Sequence, residues 1–117
     1  MGTLPTEIGN LVALTDLRIA RTDPSEFPDG LCPSGCLNGT VPTEFGKLVN
    51  LKILWLSENA LTGTLPSELG SVAGLSECLL NTNSLTGEIP TEFSSLDELG
   101  KFTQCYTNSY LCRALFH

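Results

Sequence analysis

Apolar residues recur at fixed positions in two neighbouring stretches of the chain. The first stretch reads Leu51-x-x-Leu54-x-Leu56-x-x-Asn59-x-Leu61, and the second reads Leu75-x-x-Cys78-x-Leu80-x-x-Asn83-x-Leu85. Within each stretch, Leu54/Leu56 and Cys78/Leu80 alternate with period two, which is the pattern of a strand with one buried face. The sequence therefore predicts short strands that bury equivalent side chains 24 residues apart.

The segments between these stretches repeat as well. Gapless copies of the pattern Gly-x-x-Pro-x-Glu begin at Gly39, Gly63 and Gly87, which are 24 residues apart, and a fourth copy begins at Gly2. The spacing of 37 residues between Gly2 and Gly39 implies an insertion of 13 residues. A period of about 20 to 29 residues is typical of a solenoid, in which each repeat buries its apolar face against the next.

Residues that follow the predicted strands have the chemistry of turns. An amide at Asn59 and Asn83 can satisfy backbone groups that a turn leaves unpaired. The Gly of each copy eases a tight bend, and the Pro stiffens the return path. A hydroxyl residue beside a Glu then has the pattern of a cap that opens a short helical or 3₁₀ turn, and this occurs at Thr6, Thr43, Ser67 and Thr91.

The segments Leu61-Thr-Gly-Thr-Leu-Pro66 and Leu85-Thr-Gly-Glu-Ile-Pro90 complete a longer motif with the preceding strands. The chain resembles leucine-rich-repeat proteins of the plant-specific subclass, whose repeats carry Leu-x-x-Leu-x-Leu-x-x-Asn-x-Leu-Thr-Gly-x-Ile-Pro. The resemblance implies an α/β-type repeat solenoid, with a short parallel sheet on the concave face and 3₁₀ or irregular segments on the convex side. The subclass includes receptor-kinase ectodomains, receptor-like proteins and secreted inhibitors of cell-wall-degrading enzymes, and similar repeats occur in algal and diatom surface proteins.

One solenoid over residues 1–117 accounts for the pattern, with about four repeats of 24 residues. The repeats cover about 2–38 with an insertion at 23–36, then 39–62, 63–86 and a degenerate 87–112. Three prolines and two glycines between Pro24 and Gly35 favour a loop for the insertion. Neither end has the features of a cap, so we expect either a fragment of a longer solenoid or a small protein that hides its ends by self-association.

Composition excludes several classes of function. The net charge of −7, with only six Lys and Arg residues, makes nucleic acid an unexpected partner, because phosphate binding needs clusters of basic residues. The one histidine, His117, leaves no Ser-His-acid or Cys-His arrangement, so we expect no enzyme, no cofactor and no metal. The sequence has no stretch apolar enough for a membrane span of about 20 residues.

Some of the acidic residues recur at one fixed position of the repeat. A glutamate occupies the same site in each copy, and stacking should place the four in a column at Glu7, Glu44, Glu68 and Glu92. A carboxylate there favours the positive end of a short helical turn, which is the expected reason for the column. A Ca²⁺ site or a contact with a cationic partner is the alternative.

The five cysteines and one glycosylation sequon are relevant to the cellular compartment in which the protein resides. Cys32 and Cys36 are placed to close a small disulfide in an oxidising compartment, with free thiols or a zinc half-site as alternatives. Cys78 takes a core position, and Cys105 and Cys112 form a further possible pair whose connectivity the sequence does not decide. Asn38-Gly39-Thr40 is a glycosylation sequon, although Asn38 also fits as a turn residue in place of the usual Thr.

Side chains that point out of the predicted concave sheet are the candidates for binding a protein or peptide. Parallel strands lie about 4.8 Å apart, so Arg18, Trp55, Leu79 and Thr103 should form one row. An exposed Trp beside an Arg and a Leu is the type of anchor that dominates interface energy. The alternative is that Trp55 only covers the sheet and packs on Leu79. The full candidate set is Arg18, Arg21, Ile53, Trp55, Glu58, Glu77, Leu79, Asn81, Lys101 and Tyr106, and the same alternation places Ser57 on this face.

The sequence therefore favours a non-enzymatic recognition module of a cell-surface, receptor-like protein in signalling or defence. The alternatives are a secreted inhibitor of a glycan-degrading enzyme and, more remotely, an ice-binding protein with a threonine row at Thr3, Thr40 and Thr64. We expect an extracellular or cell-surface location, and the lack of a signal sequence leaves a cytoplasmic one open.

Overall fold

The computed structural model describes residues 2–19 and 36–103, with residues 101–103 described as backbone only. Within these ranges the strands are β1 (Gly2–Thr3), β2 (Asp16–Arg18), β3 (Leu37–Gly39), β4 (Ile53–Trp55), β5 (Ala60–Leu61), β6 (Glu77–Leu79) and β7 (Lys101–Thr103). They form two sheets with the orders β1-β3-β5 and β2-β4-β6-β7. Every pairing is parallel, as the leucine-rich-repeat resemblance implies.

The four-stranded sheet arises from the period-two pattern. Its register aligns Leu17, Leu54, Cys78 and Phe102 in one row, and Leu54 and Cys78 are fully buried. The residues on either side of them are half-buried, so their side chains lie on the opposite side of the sheet. The predicted strands around Leu54 and Cys78 are therefore confirmed.

The three-stranded sheet was not predicted. Its strands have two or three residues, which is too short for an alternating pattern to be visible in the sequence. Each strand of one repeat pairs with the equivalent segment of the next, and Thr62 N donates to Gly39 O at 2.8 Å. Asn38 lies within β3, so its interpretation as a turn residue is wrong. The turn comes at Gly39, where φ is +75°.

A 3₁₀ helix follows the proline of every copy, at Thr6–Asn10, Thr43–Lys47, Ser67–Ser71 and Thr91–Ser95. The capping interpretation of the Thr and Ser residues is wrong, because the proline occupies the cap position and no side chain caps the helix. Pro42 has an extended backbone, and its carbonyl accepts from Phe45 N at 3.2 Å. The Thr43 hydroxyl instead donates to the Glu44 carboxylate at 3.4 Å.

One continuous core runs through the stack from Leu4 to Leu96. Its centre is built from leucines at equivalent positions of neighbouring repeats, and the fully buried ones include Leu48, Leu51, Leu54, Leu56, Leu61, Leu75, Leu80 and Leu85. Because each repeat contacts only its neighbours in the stack, burial between adjacent repeats contributes to the stability of the solenoid.

Buried asparagines connect the turns of successive repeats. Asn83 Oδ1 accepts from Leu61 N at 3.1 Å, while its Nδ2 donates to Leu56 O at 2.9 Å and to Leu80 O at 3.0 Å. Asn59 makes the equivalent contacts, accepting from Leu37 N at 3.1 Å and donating to Ile19 O at 2.7 Å. The prediction that these amides satisfy turn backbone is confirmed.

Candidate functional site

The solvent side of the four-stranded sheet carries the candidate site. We call this the outer face and define it by the side chains that flank the buried row, namely Asp16, Arg18, Ile53, Trp55, Glu77 and Leu79. The register places Asp16, Ile53 and Glu77 in one row and Arg18, Trp55 and Leu79 in the next. The predicted row of Arg18, Trp55 and Leu79 is present.

Trp55 is held on the outer face by two neighbours. The Arg18 guanidinium carbon lies 4.3 Å from the centroid of the indole, which is cation–π geometry. The indole Nε1 donates to Glu77 Oε2 at 2.9 Å from the following strand. Trp55 is half-buried between these contacts, so its ring orientation is fixed before any partner arrives.

Arg18 also contacts its own strand. Its Nη2 lies 3.3 Å from Asp16 Oδ2, and both side chains are close to half exposed, at 49% and 48%. A pair at this exposure contributes about 0 to 1 kcal/mol, so it orients the guanidinium more than it stabilises the fold. Arg18 is therefore positioned by one carboxylate and one aromatic ring, and it remains accessible to solvent.

The sequence did not reveal the contact between Trp55 and Glu77. Alternation placed both side chains on the outer face, but it suggested Leu79 as the neighbour on which the indole packs. The available signal was the register, because Glu77 comes two residues before Leu79 on β6 and lies diagonal to Trp55. Diagonal neighbours on a sheet are within reach of long side chains.

The outer face ends where the strands end. Ser57 was predicted to face outward but is buried, with 8% of its surface exposed. The alternation stops because β4 ends at Trp55, and the Ser57 carbonyl turns inward to accept from Asn59 Nδ2 at 3.2 Å. Glu58 follows with a φ of +59° and is half-buried. Asn81, also half-buried, takes the place of Ser57 in the next repeat and donates to the Thr82 hydroxyl at 3.5 Å.

Three of the predicted binding residues lack a described side chain. Lys101 is in β7 with its backbone in register with Glu77, and its side chain is outside the description. Arg21 and Tyr106 lie outside the described residues altogether. Their membership of the binding surface stays a prediction.

The two cysteines that the structure describes differ in oxidation state. Cys36 is buried and disulfide-bonded, while Cys32, its predicted partner, is outside the described residues, so that pairing stays a prediction. Cys78 is a free, fully buried thiol. Burial raises the pKa of the Cys78 thiol to about 12, so it remains protonated at neutral pH and serves as a small core side chain.

The glutamate column does not concentrate metal ligands. Glu44 and Glu68 line an open depression of about 330 Å³ together with Lys47. Across residues 2–19 and 36–100, no three His, Cys, Asp or Glu side chains come close enough together to hold a metal ion. In the same part of the chain, no helix has the length and apolar character needed to cross a membrane.

The threonine row has a structural role. A Cβ added to the glycine that begins the next repeat would lie close to the methyl carbon of the threonine. The distance between the two carbons would be 3.1 Å for Gly39 and Thr3, 3.0 Å for Gly63 and Thr40, and 2.7 Å for Gly87 and Thr64. The methyl groups therefore pack directly over the glycine bends. This packing explains the threonines without an ice surface.

The first repeat exposes apolar side chains that later repeats bury. Leu11 is 55% exposed, whereas the equivalent Leu48 and Val72 are 0% exposed and Leu96 is 5% exposed. Ile19 is likewise exposed while Leu56 and Leu80 are buried. We call this surface the end face and define it by Leu11, Leu14, Leu17 and Ile19.

The repeat motif and the fold agree with comparisons to known proteins. The family model for the Leucine Rich Repeat matches residues 50–72. The chain is similar to the PEPR1–AtPEP1 crystal structure, with 39% identity and a TM-score of 0.71 over 85% of this chain and 12% of that chain. It is also similar to the leucine-rich-repeat ectodomain of the plant membrane receptor kinase GASSHO1/SCHENGEN3 from Arabidopsis thaliana, with 30% identity and a TM-score of 0.71 over 87% and 11%.

A shorter solved structure covers nearly the whole chain. The BIR3–SERK2 complex from Arabidopsis thaliana matches with 28% identity and a TM-score of 0.72 over 97% of this chain and 52% of that chain. No curated protein sequence matches. The chain is a leucine-rich-repeat protein. It is of the plant type found in receptor-kinase ectodomains, and it spans only 12% and 11% of the length of the matched chains in the PEPR1 and GASSHO1/SCHENGEN3 structures.

Proposed function

We propose that the chain is a non-enzymatic recognition module that binds a protein or peptide on its outer face. The observation that carries the proposal is the position of Trp55, a solvent-facing indole held by Arg18 on one strand and Glu77 on another. Aromatic and arginine side chains are the commonest hot spots of protein interfaces. A ring that is already oriented loses little conformational entropy on binding, which favours affinity.

The arrangement around Trp55 has the anatomy of an interface. Apolar groups of Ile53, Trp55 and Leu79 form its centre, and the charges of Asp16, Arg18 and Glu77 surround them. An apolar centre with a polar rim is typical of sites that bind protein partners. None of these side chains is needed to fill the core, because the row between them is supplied by Leu17, Leu54 and Cys78.

The solved neighbours support a peptide or protein ligand and an extracellular setting. The GASSHO1/SCHENGEN3 ectodomain was crystallised with CASPARIAN STRIP INTEGRITY FACTOR 2. The receptor kinase HAESA, 26% identical to this chain, was crystallised with the peptide hormone IDA and the co-receptor SERK1. We propose by analogy that this chain works as part of a cell-surface receptor-like protein, built from about four repeats of the same solenoid.

The proposal is tested by selecting ligands from a random peptide library on the immobilised chain and measuring their affinities. Trp55→Ala and Arg18→Glu should each weaken binding at least tenfold, which is about 1.4 kcal/mol of binding free energy. Val49→Ala is the matched control, because Val49 is an apolar residue with 59% exposure that lies outside the outer face. Thermal melts of all variants separate lost binding from lost folding. Unchanged affinities in both outer-face variants would contradict the proposal.

We also propose that the end face mediates self-association. A second copy would cover Leu11 much as the preceding repeat covers Leu48, and Asp16 and Arg18 on the edge strand β2 offer opposite charges to a symmetry-related β2. Light scattering on a sizing column should show a dimer that Leu11→Asp converts to a monomer. Val49→Asp, an equally exposed site away from this face, should remain dimeric. A monomeric parent chain at all concentrations would refute the proposal.

A further inference from the structure

We propose that Asn38 is an N-linked glycan attachment site, a property beyond the recognition function. The residues Asn38-Gly39-Thr40 form the acceptor sequon, and the chain contains no second Asn-x-Ser/Thr sequence. Sequons also arise by chance, so the case depends on where the fold puts this one. Its position, its neighbours and the state of a nearby cysteine all bear on that question.

Asn38 lies on the side of β3 that faces away from the core. The preceding residue, Leu37, packs against the hydrophobic core, and successive side chains of a strand point to opposite faces. The register partners of Asn38 are Thr3 in β1 and Ala60 in β5, both with short side chains. Asn38 itself is half-buried, so part of the residue is accessible at the surface.

The following two residues complete an accessible acceptor. The chain bends immediately after Asn38, at Gly39 with a φ of +75°, and Thr40 is exposed. The Thr40 methyl group packs against Gly63. An acceptor amide that is followed by a bend and an exposed hydroxyl belongs to the protein surface, and N-linked glycans are attached at the surface.

The repeat itself does not require asparagine at this position. The equivalent residues are Thr62 and Thr86, whose hydroxyls donate to the carbonyls of Gly39 and Gly63 at 3.4 Å. A threonine thus occupies this site in both following repeats. The asparagine at 38 is a departure from the repeat that creates the sequon.

A disulfide close to the sequon indicates the compartment that the modification needs. Cys36, two residues before Asn38, is disulfide-bonded. Disulfides persist in the secretory pathway and outside the cell, and they are rare in the cytosol. Glycosylation of Asn-x-Ser/Thr takes place in the same pathway, so the two features agree.

The reaction is a group transfer from a lipid diphosphate-linked oligosaccharide. The Asn38 amide nitrogen attacks C1 of the first sugar, and an N-glycosidic bond forms there. The bond between C1 and the diphosphate oxygen breaks, the lipid diphosphate leaves with the electron pair, and the amide nitrogen gives up one proton. The glycan would stand on the three-stranded sheet, whereas Arg18 and Trp55 belong to the other sheet, so the two proposals succeed or fail independently.

The test is translation of the chain, fused to a secretion leader, in the presence of microsomes. We expect a single increase in mass that peptide N-glycosidase removes. Asn38→Gln and Thr40→Val should abolish it, and the valine keeps the methyl packing against Gly63. Thr40→Ser, which retains the sequon, should remain modified. An unmodified parent chain, or a glycan that survives Asn38→Gln, would overturn the assignment.

Discussion

Replacing Asn83 with alanine should lower the free energy of unfolding by about 3 kcal/mol, the largest effect expected for a single polar side chain here. The substitution removes the acceptor of the buried Leu61 N–H and the donor to the carbonyls of Leu56 and Leu80. A buried backbone group that loses its partner costs about 1 to 3 kcal/mol, and water has no access to replace it.

The matched control is Asn50→Ala. Asn50 Nδ2 donates to Val12 O at 2.7 Å, so this side chain also links two repeats, but the bond is exposed and water can replace it. We expect a loss of less than about 1 kcal/mol for the control. Urea denaturation of both variants measures the difference, with an unchanged m value as the check that the unfolding remains two-state. Equal losses in the two variants would mean that burial of the asparagine contacts does not stabilise the solenoid.

Replacing Gly70 with alanine should cost about 2 to 3 kcal/mol through steric conflict between repeats. A Cβ at Gly70 would lie 2.7 Å from both the carbonyl oxygen and the Cβ of Glu92. These atoms belong to the backbone and the start of a side chain in the next 3₁₀ helix, Thr91–Ser95, so no rotamer change relieves the contact. The two helices must separate, and the core leucines between the repeats lose contact.

Gly74→Ala is the control for this substitution. Gly74 has no positive φ, and the nearest atom to an added Cβ is Leu51 O at 3.9 Å, an ordinary contact. The alanine there should be neutral or slightly stabilising, because it restricts the unfolded chain. Thermal unfolding of the pair gives the comparison. A Gly70→Ala variant as stable as Gly74→Ala would show that the helices are not packed as closely as the structure places them.

The sequence predicted those parts of the fold that repeat with a clear physical signature. Alternation of Leu54 and Leu56 located the main sheet, and the position of Asn59 after the strand predicted its contacts with turn backbone. The second sheet escaped prediction because β5 has only two residues. The role of Thr43 was mistaken because a proline before a helix and a hydroxyl cap have similar sequence patterns, and only the backbone angles of Pro42 distinguish them.

The candidate site was predicted at the level of rows and missed at the level of contacts. Register followed from the repeat length, so Arg18 and Trp55 were expected to be neighbours. The hydrogen bond from Trp55 to Glu77 depends on side-chain rotamers, which a pattern of residue types does not encode. Ser57 was misplaced for a related reason, because alternation holds only as far as the strand, and the sequence does not show that β4 ends at Trp55.

The most direct test of the outer-face proposal uses the fact that the chain contains one tryptophan. Its indole N–H gives a single resonance in a ¹⁵N-correlated NMR spectrum, and that proton is the one donated to Glu77. Titration with a peptide selected on the chain should shift this resonance, with half of the full shift reached at a free peptide concentration equal to the dissociation constant measured by calorimetry. Calorimetric binding that leaves the Trp55 indole resonance unmoved would place the recognition surface elsewhere on the solenoid.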